Sequence, residues 1–143
     1  MEKLLLYTDG GARNNPGPAA TGFLIKDEEG QVVKKGGTFL GLATNNEAEY
    51  RALIEGLQAA KKLNPNRLDC FLDSSLAVNQ LNGVFKIKEA RLRELVFEVK
   101  TLEKEFPSLR YQYIPREDNK EADALVNQIL DEKADHSPNP PLR

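Results

Sequence analysis

The sequence predicts a single α/β domain built on a mixed β-sheet. Two observations lead to this prediction. Three short strand-like segments follow one another closely in the N-terminal third, and helical and strand-like segments alternate after residue 44.

The N-terminal third predicts an antiparallel meander. Residues 3–9, 19–27 and 31–40 are rich in apolar residues and read as strands. The links between them carry Gly, Asn and Pro, or the short stretch EEG, which are typical of turns. Strands joined by such short links pair as hairpins, so we expect the three to be antiparallel neighbours.

Helices alternate with two further strands in the rest of the chain. Within residues 45–63, Leu53, Leu57 and Ala60 recur at helical spacing, and Pro65 ends the helix. The elements predicted after it are a strand at 67–73, a short helix at 74–81, a charged helix at 88–106, a strand at 109–114 and a helix at 119–131. The predicted order is therefore β-β-β-α-β-α-α-β-α.

The composition is that of an ordinary globular domain. The chain has 143 residues, of which 40% are apolar and 29% charged, and its net charge is −2. This length suffices for one domain with a core, predicted at residues 1–131, followed by a disordered proline-rich tail at residues 132–143. The near-neutral charge argues mildly against a dedicated nucleic-acid-binding module but leaves room for a local basic face.

Cysteine and histidine usage excludes several chemistries. The only cysteine is Cys70, which excludes an internal disulfide framework and a multi-cysteine zinc site. The only histidine, His136, lies in the predicted tail, so histidine-based triads and metal sites are excluded. The metal class left is a hard cation held by carboxylates. The sequence has neither a signal peptide nor a membrane-spanning run, so we expect a cytoplasmic protein without membrane contact.

Two predicted strands end on an acid. Asp9 precedes two glycines, and Asp73 precedes two serines. Each acid has a local interpretation, because Asp closes turns beside glycine and is common where a helix begins. The functional alternative is that both acids lie at the carboxyl ends of strands, which is the usual place for an α/β active site.

Two predicted helices carry an acid without a local role. Glu49 is in phase with the buried stripe of its helix, whereas Glu47 lies on the wet side and has capping-box spacing from Thr44. Asp123 borders the apolar stripe of the last helix. A buried acid is costly unless it is paired or binds a metal, so both are candidate ligands.

Brought together without a counter-charge, these four carboxylates would repel one another. A pair of like charges about 4 Å apart costs roughly 4 kcal/mol at an effective dielectric constant near 20. Divalent cations remove that cost, and two cations roughly 3.5–4 Å apart form the clamp used for phosphodiester cleavage.

Four segments of the chain resemble type 1 ribonuclease H, in that family's order and spacing. They are YTDGGARNNPGPAATGF, ATNNEAEYRALIEGL, FLDSSLAVNQLNG and IPREDNKEADALVNQ, and they cover about residues 3–131. The resemblance implies a ribonuclease H-like fold, a five-stranded mixed sheet flanked by helices. It also implies Mg²⁺-dependent hydrolysis of the RNA strand of an RNA/DNA hybrid, with two Mg²⁺ ions, Mn²⁺ as a substitute, and 5′-phosphate and 3′-hydroxyl products.

The resemblance also assigns roles to single residues. Asp9 matches the family aspartate that bridges both metals, and Glu49, Asp73 and Asp123 match the other three catalytic and metal-binding acids. The positions that match substrate contacts are Ala12, Asn14, Asn15, Thr44, Asn45 and Asn46. The family uses Thr44 for a DNA-strand phosphate and the others to read the RNA 2′-hydroxyls.

The chain departs from the family pattern in three places. Many members carry a histidine in the loop before the last helix, but here that loop has none. Arg116 stands nearby, and we weigh a phosphate contact against a plain surface role for it. The basic protrusion of some members is missing, and Ser75 stands where the family often has glutamine. Lys86, Lys88, Arg91 and Arg93 offer only a modest basic edge in place of that protrusion.

Two alternatives to a hybrid-specific nuclease stay open. One is a weakly catalytic or inactive nucleic-acid-binding module of the same fold. The other is a nuclease with additional activity on double-stranded RNA, because that duplex and the hybrid share an A-form shape. In either case we expect the chain to act as a monomer.

Overall fold

The structure, a computed structural model, describes residues 2–135 and follows the predicted alternation of elements. The strands are β1 (Lys3–Ala12), β2 (Gly17–Lys26), β3 (Val32–Gly36), β4 (Phe39–Ala43), β5 (Arg67–Leu72) and β6 (Leu109–Tyr113). The helices are α1 (Asn45–Leu63), α2 (Ser75–Leu81), α3 (Ala90–Glu103) and α4 (Lys120–Asp135), with one 3₁₀ turn at Arg116–Asp118. Among residues 2–135, no helix combines the length and the apolar character needed to cross a membrane.

The strands form one mixed sheet in the order β3-β2-β1-β5-β6, with β4 paired to β2. The β1–β2 and β2–β3 pairs are antiparallel, which confirms the predicted meander, and the β1–β5 and β5–β6 pairs are parallel. The α/β fold class is therefore confirmed. Because β1 and β5 pair in parallel with Thr8 opposite Leu72, the residues that follow, Asp9 and Asp73, come to lie side by side.

Strand β2 shows how the helices cover both faces of the sheet. Phe23 and Ile25 belong to the main core, which includes the buried face of α1. Ala20 faces the other way and packs with Val126 and Leu130 of α4. Because successive side chains of a strand point to opposite faces, α1 and α4 lie on opposite sides of the sheet. The carboxylates of these two helices can thus meet only at an end of the sheet.

The first strand runs further than predicted. The sequence predicts an end at Asp9, but β1 continues to Ala12 because β2 still pairs with it there, as the Ala12–Ala19 register shows. The parallel pairing with β5, in contrast, ends at Thr8 opposite Leu72. Asp9 therefore stands where β1 and β5 part, and not at the end of a strand.

The segment predicted as one strand at 31–40 is two strands. The sheet consequently has six strands, five in the main order, where the sequence predicted five. The break falls at Gly37, whose backbone passes so close to β2 that a Cβ there would lie 2.3 Å from the Thr21 carbonyl oxygen. Beyond the break, the Thr21 N–H donates to the Thr38 carbonyl oxygen at 3.0 Å.

Helix boundaries differ from prediction mainly at the C-terminal side. Helix α1 has the predicted bounds, whereas α3 is shorter than the predicted 88–106. Helix α4 continues to Asp135, four residues past the predicted end at 131, so the predicted tail boundary is wrong for residues 132–135. The rest of that predicted tail, 136–143 with His136, lies outside the described residues.

Candidate active site

Glu49 reaches the sheet from the first turns of α1. Oε1 of Glu49 accepts a hydrogen bond of 3.1 Å from the backbone N–H of Gly10. Helix and strand approach so closely at this point that a Cβ on Gly10 would lie 2.1 Å from the carbonyl oxygen of Ala48. Only glycine permits this contact, so Gly10 is the reason that the glutamate carboxylate can reach β1.

Glu47 has the local role predicted for it. It forms a capping box with Thr44, whose hydroxyl accepts from the Glu47 N–H at 3.1 Å. Glu49, two residues further on, is 8% exposed and faces the site. The phase of the two glutamates on α1 thus separates the capping residue from the buried acid, as the sequence pattern indicated.

Asp73 follows β5 and precedes the first residues of α2. The neighbouring Ser74 is the N-cap of α2, and its hydroxyl accepts from the Ala77 N–H at 3.1 Å. The Asp73 carboxylate is left to the site, where its Oδ2 accepts a hydrogen bond of 2.8 Å from the side-chain amide of Asn119. The helix-cap interpretation therefore applies to Ser74 and not to Asp73.

Asp9, Glu49 and Asp73 form a tight acidic cluster. One carboxylate oxygen from each lies within 4.8 Å of the others. Burial raises the pKa of Asp9 to about 7, and repulsion from Asp73 adds to the shift. Burial, with repulsion from Asp9 and Asp73, also raises the pKa of Glu49 well above its usual range. Without a counter-charge, this cluster holds protons at a pH where ordinary carboxyl groups have lost them.

Asp123 joins the cluster from the opposite face of the sheet. It is half-buried on α4, and its carboxyl group contacts that of Asp9, contributing to the raised pKa of Asp9. Its Oδ2 accepts a hydrogen bond of 3.2 Å from the side chain of Asn127, one helical turn later. All four predicted acids are thus brought together, and three of them are close enough for one carboxylate oxygen from each to bind the same ion.

The donor set fits a divalent cation. The second carboxylate oxygen of Glu49, Oε2, is buried and has no hydrogen-bond partner. An unpartnered buried oxygen beside two further carboxylates is costly unless a positive group meets it. Oxygen ligands of this kind are those that Mg²⁺ and Ca²⁺ prefer, so the residues present suit such an ion.

The acids lie on an open cleft of about 600 Å³. Its lining includes all four acids, together with Ala12, Arg13, Asn45, Asn46, Ser75, Arg116 and Asn127. Of the residues predicted to contact substrate, Ala12, Asn45, Asn46 and Arg116 line the cleft, whereas Asn14, Asn15 and Thr44 lie outside its wall.

Hydrogen bonds join the β1–β2 loop to the start of α1. The Ala12 N–H donates to Oδ1 of Asn45 at 2.8 Å, and the Asn45 N–H donates to Oδ1 of Asn15 at 2.9 Å. Asn14 has a left-handed backbone with φ of 65°. Asn15 thus holds the backbone of Asn45, a residue of the cleft wall. The side-chain carbonyl groups of Asn15 and Asn45 both accept hydrogen bonds within this network.

The predicted basic edge is partly neutralised. Arg91 lies 3.6 Å from Glu47 and 3.3 Å from Glu94. Lys86, Lys88 and Arg93 are exposed. The edge therefore offers less positive charge than its four basic residues suggest.

Asn119 is a site residue that the sequence interpretation missed. It is 2% exposed and bonds directly to Asp73. Its position four residues before Asp123, where a helix begins, is the only signal in the sequence, and an asparagine there reads as an ordinary cap. Its partner Thr8 is 111 residues away, beyond the reach of local pattern reasoning.

The fold and the acidic cluster together define a ribonuclease H-like domain. The sequence matches the protein family described as reverse transcriptase-like over residues 7–129, and the chain belongs to that family. The resemblance to ribonuclease H noted in the sequence is thus confirmed for the family, whereas the assignment to type 1 stays a prediction.

Solved structures of similar chains carry the same fold. The N-terminal RNase H domain of rv2228c from Mycobacterium tuberculosis superposes with a TM-score of 0.90 at 36% identity, covering 95% of this chain and 99% of that one. LC11-RNase H1, solved in complex with an RNA/DNA hybrid, gives a TM-score of 0.86 at 39% identity, with 90% and 97% covered.

A curated relative is similar over most of this chain. Ribonuclease HI of Halobacterium salinarum is 39% identical over 126 residues, which are 88% of this chain and 63% of the relative. The bifunctional protein Rv2228c matches with only 36% of its own length. The chain thus spans less than two thirds of the length of these curated relatives.

Proposed function

We propose that this chain is an endoribonuclease that hydrolyses the RNA strand of RNA/DNA hybrids with two divalent metal ions. The products are 5′-phosphate and 3′-hydroxyl ends. The observation that carries the proposal is the acidic cluster of Asp9, Glu49 and Asp73, whose ligand atoms lie within 4.8 Å of one another on an open cleft. The hybrid bound to LC11-RNase H1, a protein of the same fold, supports the choice of substrate.

The four acids would hold the cations, with Mg²⁺ the proposed ion and Mn²⁺ a substitute. The chemistry that two bound cations supply is activation of the attacking water and charge stabilisation at the leaving 3′ oxygen. Glu49 is prepared for this role because the Gly10 N–H holds its Oε1, which leaves the buried Oε2 as the ligand atom. The Asn127 amide in turn holds one oxygen of Asp123 and leaves the other for the site.

Substrate recognition is proposed for the wall formed by the β1–β2 loop and the start of α1. Since the Asn45 carbonyl is engaged by Ala12, the group that Asn45 offers to the cleft is its amide N–H₂. Such a donor suits a 2′-hydroxyl, which distinguishes RNA from DNA. Exposed Asn46 lies beside it on the same wall. Exposed Arg116, which also lines the cleft, is proposed to contact a backbone phosphate.

Further features of the proposal concern the state of the protein. We propose a monomer located in the cytoplasm, where the single buried thiol of Cys70 would stay reduced. The A-form shape shared by the hybrid and double-stranded RNA supports a lesser activity on double-stranded RNA.

A cleavage panel tests the proposal. Labelled RNA/DNA hybrid, double-stranded RNA, single-stranded RNA and double-stranded DNA are incubated with Mg²⁺, with Mn²⁺ or with EDTA. We expect metal-dependent cutting of the hybrid, lost in Asp9→Asn and kept in Glu28→Gln, a matched acid-to-amide change at an exposed turn residue. If a folded wild-type protein binds the hybrid and cuts nothing with either metal, the chain is a binding module instead.

A further inference from the structure

The side chain of Asn119 connects two strands at the acidic cluster. Its Nδ2 donates one hydrogen bond of 2.8 Å to the carbonyl oxygen of Thr8 and another of 2.8 Å to Oδ2 of Asp73. Thr8 directly precedes Asp9, and Asp73 directly follows β5. The two hydrogen bonds therefore span the point where β1 and β5 part.

A primary amide is the chemical group that this position needs. Thr8 offers a carbonyl and Asp73 a carboxylate, so both partners only accept hydrogen bonds, and a single N–H₂ group supplies two donors from one atom. The carbonyl oxygen of the same amide, Oδ1, is buried without a partner. An unsatisfied buried acceptor is unfavourable, which indicates that the two donated bonds determine the orientation of the amide.

The backbone of Asn119 adds a link to the fourth acid. Its carbonyl oxygen accepts the Asp123 N–H at 3.1 Å, in the first turn of α4. Its own N–H donates to the carbonyl oxygen of Arg116 at 3.0 Å. Asn119 thus contacts the Asp73 side chain, the backbone of Thr8 next to Asp9, and the backbone N–H of Asp123.

Asn119 does not act by touching substrate. It is 2% exposed and is absent from the residues that line the 600 Å³ cleft. Its influence on a reaction in that cleft must pass through the acids that it holds. Partners of this kind, behind the ligands of a metal, typically change metal affinity by about 10-fold to 100-fold when removed.

We infer that Asn119 is a positioning residue that fixes the Asp73 carboxylate for metal binding and holds β1, β5 and α4 together behind the site. The inference rests on the proposed function in supposing that the acids hold divalent cations. The side-chain N–H₂ group of Asn119 is required for this role, because the Thr8 carbonyl and the Asp73 carboxylate both need a hydrogen-bond donor.

The test measures Mn²⁺ affinity by electron paramagnetic resonance in the absence of nucleic acid. Asn119→Ala is compared with Asn82→Ala, which removes an amide donor to the Tyr111 carbonyl oxygen at 3.4 Å, away from the acids. We expect Asn119→Ala to bind Mn²⁺ at least about 10-fold more weakly, with the control unchanged. With saturating Mg²⁺, kcat on the hybrid should fall while KM stays at the wild-type value, because Asn119 does not contact substrate.

A second measurement uses the protein without a change at Asn119. The side-chain amide resonances of Asn119 are followed by NMR in the wild type, on addition of Mg²⁺ and in Asp73→Asn. We expect them to shift in both cases, and this result decides the matter if Asn119→Ala fails to fold.

Wild-type Mn²⁺ affinity in a folded Asn119→Ala protein would overturn the inference, as would amide resonances that do not respond to Asp73→Asn. A protein that cuts no hybrid but loses Mn²⁺ affinity in Asn119→Ala would refute the proposed substrate and leave the positioning role standing.

Discussion

The backbone N–H of Gly10 donates a 3.1 Å hydrogen bond to the carboxylate of Glu49, and the two residues are 39 positions apart in the chain. The contact depends on the close approach of α1 to β1, which leaves no room for a Cβ on Gly10. One glycine therefore determines both the packing of the first helix and the position of a candidate metal ligand.

This relationship predicts a large effect of Gly10→Ala. A Cβ at this position would lie 2.1 Å from a backbone oxygen, which cannot move without shifting α1. We expect the free energy of unfolding to fall by at least about 3 kcal/mol, the upper end for overpacked sites, and Mn²⁺ affinity to fall with it. Urea unfolding measures the first, and a Mn²⁺ titration the second.

The neighbouring glycine provides the control for that experiment. A Cβ on Gly11 would meet its nearest atom, Cγ1 of Val126, at 3.8 Å, which is an ordinary contact. Gly11→Ala should therefore stay close to wild type in stability. Equal unfolding midpoints for the two variants would refute the steric explanation.

The acids of α1 show why much of the site could be predicted from sequence. Helical phase is a local property, and it distinguishes buried Glu49 from Glu47, which caps the helix with Thr44. The position of Asp73 was equally accessible, because a strand followed by a helix start is a local pattern too. The order of elements followed from the same kind of evidence.

What could not be predicted depends on contacts distant in the chain. The extension of β1 past Asp9 is caused by pairing with β2, and the break at Gly37 by its approach to Thr21. Asn119 is the clearest case, since the bond that defines it joins residues 111 positions apart. A buried asparagine at a helix start has the same local sequence as an exposed cap.

The raised pKa of Asp9 predicts how the stability of the metal-free protein depends on pH. The pKa is about 7 in the folded protein against a usual value of 3.8, so between these values the native state keeps a proton that the unfolded chain has released. The free energy of unfolding must then fall as the pH rises through this range, by at most about 1.4 kcal/mol per pH unit from this residue. The shift of Glu49 acts in the same direction.

Urea unfolding in EDTA at several pH values between 4 and 7 measures this slope. We expect wild type to lose stability toward neutral pH and Asp9→Asn to give a shallower slope, because its amide does not titrate. Glu28→Gln, at an exposed position, should keep the wild-type slope. A stability that increases with pH over this range would contradict the assigned electrostatics.

The geometry of the four acids predicts unequal contributions to metal binding in the absence of nucleic acid. Asp73 belongs to the cluster whose ligand atoms lie within 4.8 Å of one another, whereas half-buried Asp123 lies outside this cluster and contacts Asp9. We expect Asp73→Asn to weaken Mn²⁺ binding by at least about 10-fold and Asp123→Asn to weaken it less. Titration of each variant with Mn²⁺ measures the difference, and a stronger loss in Asp123→Asn would show that the first ion binds on the α4 side.

A substitution of Arg116 should weaken phosphate binding without changing metal binding. It is exposed on the rim of the cleft, so a phosphate contact there should contribute affinity that depends on salt. In an Asp9→Asn background, which prevents cleavage, Arg116→Ala should weaken hybrid binding and reduce the slope of log K against log salt concentration by roughly 1.

Arg110→Ala, at an exposed arginine on β6 that lies 3.8 Å from Asp69, is the matched control and should leave the slope unchanged. Since neither arginine belongs to the acidic cluster, Mn²⁺ affinity measured with Asp9 intact should be that of wild type in both. Identical salt slopes for the two arginine variants would make Arg116 an ordinary surface residue.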